Sequence, residues 1–93
     1  MVIKGFFAYA SGPRRVAKKI QQSIKLINDT KANVEITDWK DLKIGGKFII
    51  AEICKQISES EIFLCDLTTD NANVLFELGY AIAINKRIWI TVS

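Results

Sequence analysis

The chain contains no histidine. That alone removes a Ser-His-Asp triad, a Cys-His pair and a histidine-ligated metal from what its 93 residues can build. Acid–base work falls to Asp, Glu, Tyr, Lys or Cys. Cysteine is scarce: Cys54 and Cys65 sit in apolar surroundings and read as reduced core thiols of a cytoplasmic protein, not as a disulfide scaffold. No apolar run reaches the ~20 residues that a membrane span needs. No leader pattern is read before the strand-like start at Met1 to Phe7. Neither sign of charge dominates, since 13 basic residues face 10 acidic ones. A net charge of +3 suits a small anionic ligand. The basic residues are spread along the chain, so a nucleic-acid stripe is not expected.

What is present reads as one small globular domain spanning 1–93, with apolar runs that alternate between two periods. Val2 to Tyr9 is a buried strand closed by Ser11-Gly12-Pro13, and Pro13 starts a helix where its missing N–H costs nothing. Val16, Ile20, Ile24 and Ile27 recur at helical spacing up to Asn28-Asp29. Val34 to Thr37 is a second strand, and Asp38 to Gly46 a loop. Ile49, Ile50, Ile53, Cys54 and Ile57 form the stripe of a second helix. Ile62 to Cys65 is apolar throughout, as a central parallel strand should be. A third helix runs from Val74 to Asn85 with Leu75, Leu78, Ala81 and Ile82 inward, and Arg87 to Val92 is a fourth strand.

Strands joined by helices of this length pair in parallel through right-handed crossovers. The expected fold is therefore α/β, a flavodoxin-like three-layer open sheet in the order 2-1-3-4. A fifth strand is expected beyond Ser93, which makes the chain one piece of a longer protein or leaves Arg87 to Val92 for a partner to cover.

Ligands in such sheets bind beyond the carboxyl ends of the strands, where the strand order reverses. That point gathers Tyr9, Ser11, Gly12, Arg14 and Arg15 after strand one. It gathers Asp38, Trp39 and Asp41 after strand two, then Asp66, Thr68, Asp70, Asn71 and Asn73 after strand three. Ser11 to Arg15 is either an anion site at a helix start or an ordinary turn with solvated arginines. Gly45-Gly46 lacks the Walker pattern and reads as a turn. Trp39 either stacks on a base or caps the core, while Trp89 reads as packing. Tyr9 either packs or bonds a ligand. Asp66 puts a carboxylate where the sheet meets the crevice, or else braces the loop. Glu77 is an inward carboxylate or a surface position; periodicity favours the surface. Gly79 suggests close packing or close ligand approach.

The run Asp66-Leu67-Thr68-Thr69-Asp70-Asn71-Ala72-Asn73-Val74-Leu75-Phe76-Glu77-Leu78-Gly79-Tyr80-Ala81 resembles the signature of the nucleoside 2-deoxyribosyltransferase-like superfamily. TIR-like nucleotide-binding domains carry a similar strand–Asp, Asn-Pro-Asn-Val and Glu-Leu-Gly pattern, in which Ala72 here replaces the Pro. The likeness extends weakly to Tyr9 and to Trp39-Lys40-Asp41-Leu42.

The resemblance implies chemistry at an N-glycosidic bond. Glu77 would attack the anomeric carbon, Asp66 would bind the base or help its departure, and Tyr9 would orient the nucleophile. Ser11, Gly12, Arg14, Arg15, Trp39, Asn71 and Asn73 would contact the ligand. Such cleavage passes through an oxocarbenium-like state that a carboxylate stabilises or traps, and needs no histidine. No cofactor or metal is expected, and NAD would be a substrate, cleaved as TIR-like relatives cleave it. The arginine pair suits a phosphorylated ligand. The other reading is a non-catalytic nucleotide-sensing or oligomerising module. The expected partners are a nucleoside, nucleotide or NAD-like molecule and further copies of the chain.

Overall fold

The computed structural model describes residues 2–30, 33–39 and 49–92. Asp41 and Gly45-Gly46, together with most of the loop expected after strand two, lie outside the described residues. The elements run β1 (Ile3–Ala8), α1 (Arg14–Asp29), β2 (Val34–Asp38), α2 (Ile49–Glu59), β3 (Ile62–Asp66), α3 (Ala72–Ala83) and β4 (Arg87–Thr91). All pairings are parallel, and the strand order is β2-β1-β3-β4. The α/β, flavodoxin-like expectation holds.

Alternation along the strands sorts the core into two layers. Phe6, Ala8, Phe63 and Cys65 face one way and meet Ile57 of α2 with Val74 and Ala81 of α3. Phe7, Tyr9, Ile36 and Leu64 face the other way and meet Ala17, Ile20 and Ile24 of α1. Phe6 and Phe63 are fully buried and stack at 6.4 Å between ring centres. Each contributes about 1.5–3 kcal/mol through the surface it removes from water.

Local chemistry sets the helix ends. Pro13 stands just outside α1, and its carbonyl accepts from the Val16 and Ala17 N–H groups. Near the other end, Asn28 Oδ1 accepts from the Ile36 N–H at 2.7 Å while Nδ2 donates to the Ile36 carbonyl at 2.8 Å. One amide thus satisfies both main-chain groups of a residue on edge strand β2 and fastens α1 to it. Beyond α3, Asn85 takes a positive φ of 62°, and the Lys86 N–H reaches the Ala81 carbonyl at 3.0 Å. This left-handed stop turns the chain into β4.

The helix faces differ from the expected ones. In α3 the buried residues are Val74, Glu77 and Ala81, whereas Leu75 and Ile82 are more than half exposed to solvent or at that boundary. Ile50 of α2 is also exposed. The reason is composition: a helix apolar on every side gives periodicity nothing to sort. Close packing, one of the two readings of Gly79, is not found: the residue lies on the outer face, and a Cβ there would meet nothing within 4 Å. Trp89 is 57 % exposed instead of packed and lines a shallow apolar groove with Gly5, Ile27, Ile62 and Leu64. No helix among the described residues is long and apolar enough to cross a membrane.

Candidate active site

The carboxyl ends of the strands carry four polar groups that the sheet places side by side. Tyr9 follows β1, Asp38 ends β2, Asp66 ends β3 and Thr91 ends β4. Register brings Phe7 opposite Asp38, Ala8 opposite Cys65, and Asp66 opposite Thr91. The two loops that flank β1 and β3 meet where Thr69 Oγ1 donates to the Gly12 carbonyl at 3.5 Å.

On the β2 side, the Tyr9 hydroxyl donates to Asp38 Oδ1 at 2.6 Å, and both residues are buried. A short O–H···O contact to a carboxylate is among the stronger hydrogen bonds a protein makes. The Trp39 ring tilts against Tyr9 at 5.8 Å. It packs on both core layers, and its Nε1–H is buried with no acceptor among the described residues. Trp39 therefore caps the core edge. The phenol expected to orient Glu77 is directed by this bond to Asp38.

On the β3 side, Asp66 is buried and both its oxygens accept. Oδ1 takes the Thr68 N–H at 3.0 Å, and Oδ2 takes the Thr91 hydroxyl at 2.7 Å. Asp66 thus braces the loop as well as standing in the crevice. The next polar residues start α3. Asn71 caps it, with Oδ1 accepting from the Val74 N–H at 3.0 Å, while Asn73 is exposed. Serving as the N-cap stabilises the helix by about 1 kcal/mol.

Glu77 points inward, against the surface position that periodicity favoured. It is 9 % exposed, and no hydrogen bond or ion pair meets its carboxylate among the described residues. Burial pushes its pKa up to about 7. Its charge reaches two thiols. Cys65 is pushed up to about 11, first by burial and then by the Asp66 and Glu77 carboxylates; Cys54 is raised by burial and by Glu77. Glu77 shares the buried stripe of α3 with Val74 and Ala81, which pack on the face of the sheet that carries Cys65. An unpaired inward carboxylate destabilises a fold, and such a group is a candidate for chemistry.

Ser11, Gly12, Arg14 and Arg15 are all exposed where α1 begins. Among the described residues, no group of three or more His, Cys, Asp or Glu side chains could hold a metal. Three participants carried little sequence signal. Thr91 and the Asp38–Tyr9 bond follow from strand register, and Cys54 near Glu77 follows from the packing of α2 on α3.

No family model matches the chain. A 5-hydroxymethyl-dUMP N-hydrolase from Danio rerio is 29% identical over 73 residues, which cover 78% of this chain and 51% of that protein. The chain thus spans about half the length of the curated relative it matches. A 2-desoxiribosyltransferase from Leishmania mexicana superposes with a TM-score of 0.77 at 18% identity, over 97% of this chain and 64% of that one. A conserved protein from Enterococcus faecalis V583 gives 0.70 at 16%, over 97% and 63%. The structural neighbours share the fold. With the curated relative, they bear out the resemblance to the nucleoside 2-deoxyribosyltransferase-like superfamily.

Proposed function

We propose that this chain carries a domain acting on the N-glycosidic bond of a nucleoside or nucleotide, with Glu77 as the carboxylate that meets the anomeric carbon. The observation that carries the reading is a buried Glu77, unpartnered among the described residues, within the Glu77-Leu78-Gly79 run. The Danio rerio relative's name, an N-hydrolase of a deoxynucleoside monophosphate, supports it.

The chemistry follows from the groups available. A Glu77 oxygen bonds to C1′ as the C1′–N bond breaks, and its electron pair leaves with the base. The departing base takes a proton from solvent. Water, or a nitrogen of a second base, then attacks C1′ and releases Glu77; the first route is hydrolysis and the second is transfer. The attacking group gives its proton to solvent. Burial keeps the carboxylate free of hydration and leaves its charge for the cationic transition state. Arg14 and Arg15, with the helix start behind them, suit a phosphate on the sugar. Nicotinamide leaves without protonation, so cleavage of NAD falls within the same chemistry. No resident cofactor or metal enters it. The free thiols Cys54 and Cys65 fit a reducing cytoplasm. Leu75, Phe76 and Ile82 on the outer face of α3 fit association between copies.

The competing reading, a nucleotide-sensing module without turnover, is favoured by how fully Asp66 and Asn71 are engaged by the protein itself. One experiment separates the two. The protein is incubated with deoxynucleosides, their 5′-monophosphates and NAD, and free base is followed by chromatography with Glu77→Gln alongside. Base release that the variant loses is the expected result. A ligand-dependent rise in melting temperature with no base release would establish the sensing module instead.

A further inference from the structure

We infer that Thr91 is a positioning residue that holds the Asp66 carboxylate as a fixed acceptor in the crevice; the inference rests on the glycosidic reading of the site. Thr91 grips the end of β3 at two points. Its carbonyl accepts the Leu67 N–H at 2.9 Å, and its hydroxyl donates to Asp66 Oδ2 at 2.7 Å. Any residue at this position supplies the first bond. Only Ser or Thr supplies the second without a change in side-chain reach.

The hydroxyl has no packing role to explain it. Thr91 is exposed at the end of an edge strand, where valine would fill the same shape with a similar strand preference. Its described use is the bond to Asp66. With Thr68 N–H on one oxygen and Thr91 O–H on the other, the carboxylate cannot turn without losing both bonds. The lone pairs that remain accept and do not donate. Asp66 so held reads a ligand N–H or O–H, from a base edge or a sugar hydroxyl.

Three variants test this: Thr91→Val, Thr91→Ser and Asp66→Ala. For the substrate from which the wild type releases base, Thr91→Val raises KM about tenfold with kcat changed little, as loss of an outer support does elsewhere. Thr91→Ser stays near wild type. In an Asp66→Ala background, Thr91→Val has no further effect. In the unliganded protein, amide hydrogen exchange reads the same clamp without activity. The Thr68 amide, which donates to Asp66, exchanges faster in Thr91→Val, while the Leu67 amide, which donates to the Thr91 carbonyl, keeps its rate. An unchanged Thr68 rate overturns the inference. Equal acceleration at Leu67 also overturns it, because Thr91 then only holds the strand. A wild type that releases no base refutes the glycosidic reading, and the exchange rates still decide whether Thr91 positions Asp66.

Discussion

The Tyr9 hydroxyl and the Asp38 carboxylate meet at 2.6 Å across 29 residues of sequence and join the ends of two neighbouring strands inside the core. Tyr9→Phe keeps the ring packing on Phe7 and Trp39 but removes this donor from a buried carboxylate. The expected cost is about 1–3 kcal/mol of stability. Urea titration of the variant measures it, and an unchanged midpoint would show that the bond contributes nothing net.

Glu77 couples pH to stability and to activity with opposite signs. Its folded-state pKa, near 7, lies above the ordinary value of 4.5. The contribution of this carboxyl to stability is therefore complete below about 4.5 and is lost as pH rises through 7. Base release should do the reverse and increase through pH 7, as the carboxylate forms. Glu77→Gln removes both dependences, so above neutral pH it should melt higher than the wild type while being inactive. A set of melting curves from pH 5 to pH 8.5 checks the first half; a variant that gains nothing at high pH would contradict an unpaired inward carboxylate.

If Arg14 and Arg15 take a phosphate, their loss must discriminate between ligands. Arg14→Gln with Arg15→Gln should raise KM about tenfold or more for a 5′-monophosphate and leave the matching free nucleoside unaffected. Equal effects on both would return the pair to the solvated turn that was its alternative reading.

The outer face of α3 carries Leu75 at 50 %, Phe76 at 52 % and Ile82 at 57 % exposure, with no charge between them. Association between copies through this face predicts that Phe76→Glu shifts the protein to monomer in sedimentation velocity, with its circular dichroism retained. A wild type that is already monomeric at high concentration would remove the proposal.

The layout of this fold was legible because its signals are local. Apolar runs such as Ile62 to Cys65 alternate with helical stripes such as Val16, Ile20, Ile24 and Ile27, and crossover handedness then leaves few orders for four strands. The faces of α3 were not legible. Apolar residues surround that helix, so Leu75 and Ile82 looked as suited to the core as Val74 and Ala81. Helical periodicity favours the surface for Glu77, an expectation that sites of chemistry break. The motif around Glu77 pointed inward where periodicity could not. Asn71, expected to touch a ligand, also serves as a helix cap, a role its position before Ala72 equally allows. Thr91 gave no signal of its own, since its importance comes from register with Asp66.

Strand β1 belongs to both apolar layers at once. Phe6 and Ala8 anchor the layer under α2 and α3, and Phe7 and Tyr9 anchor the layer under α1. Six residues of backbone thus serve as the common wall of two rooms. Disorder in β1 opens both layers together. The chain is in this sense a single cooperative switch between folded and unfolded, and damage to one side of the sheet is felt by side chains on the other.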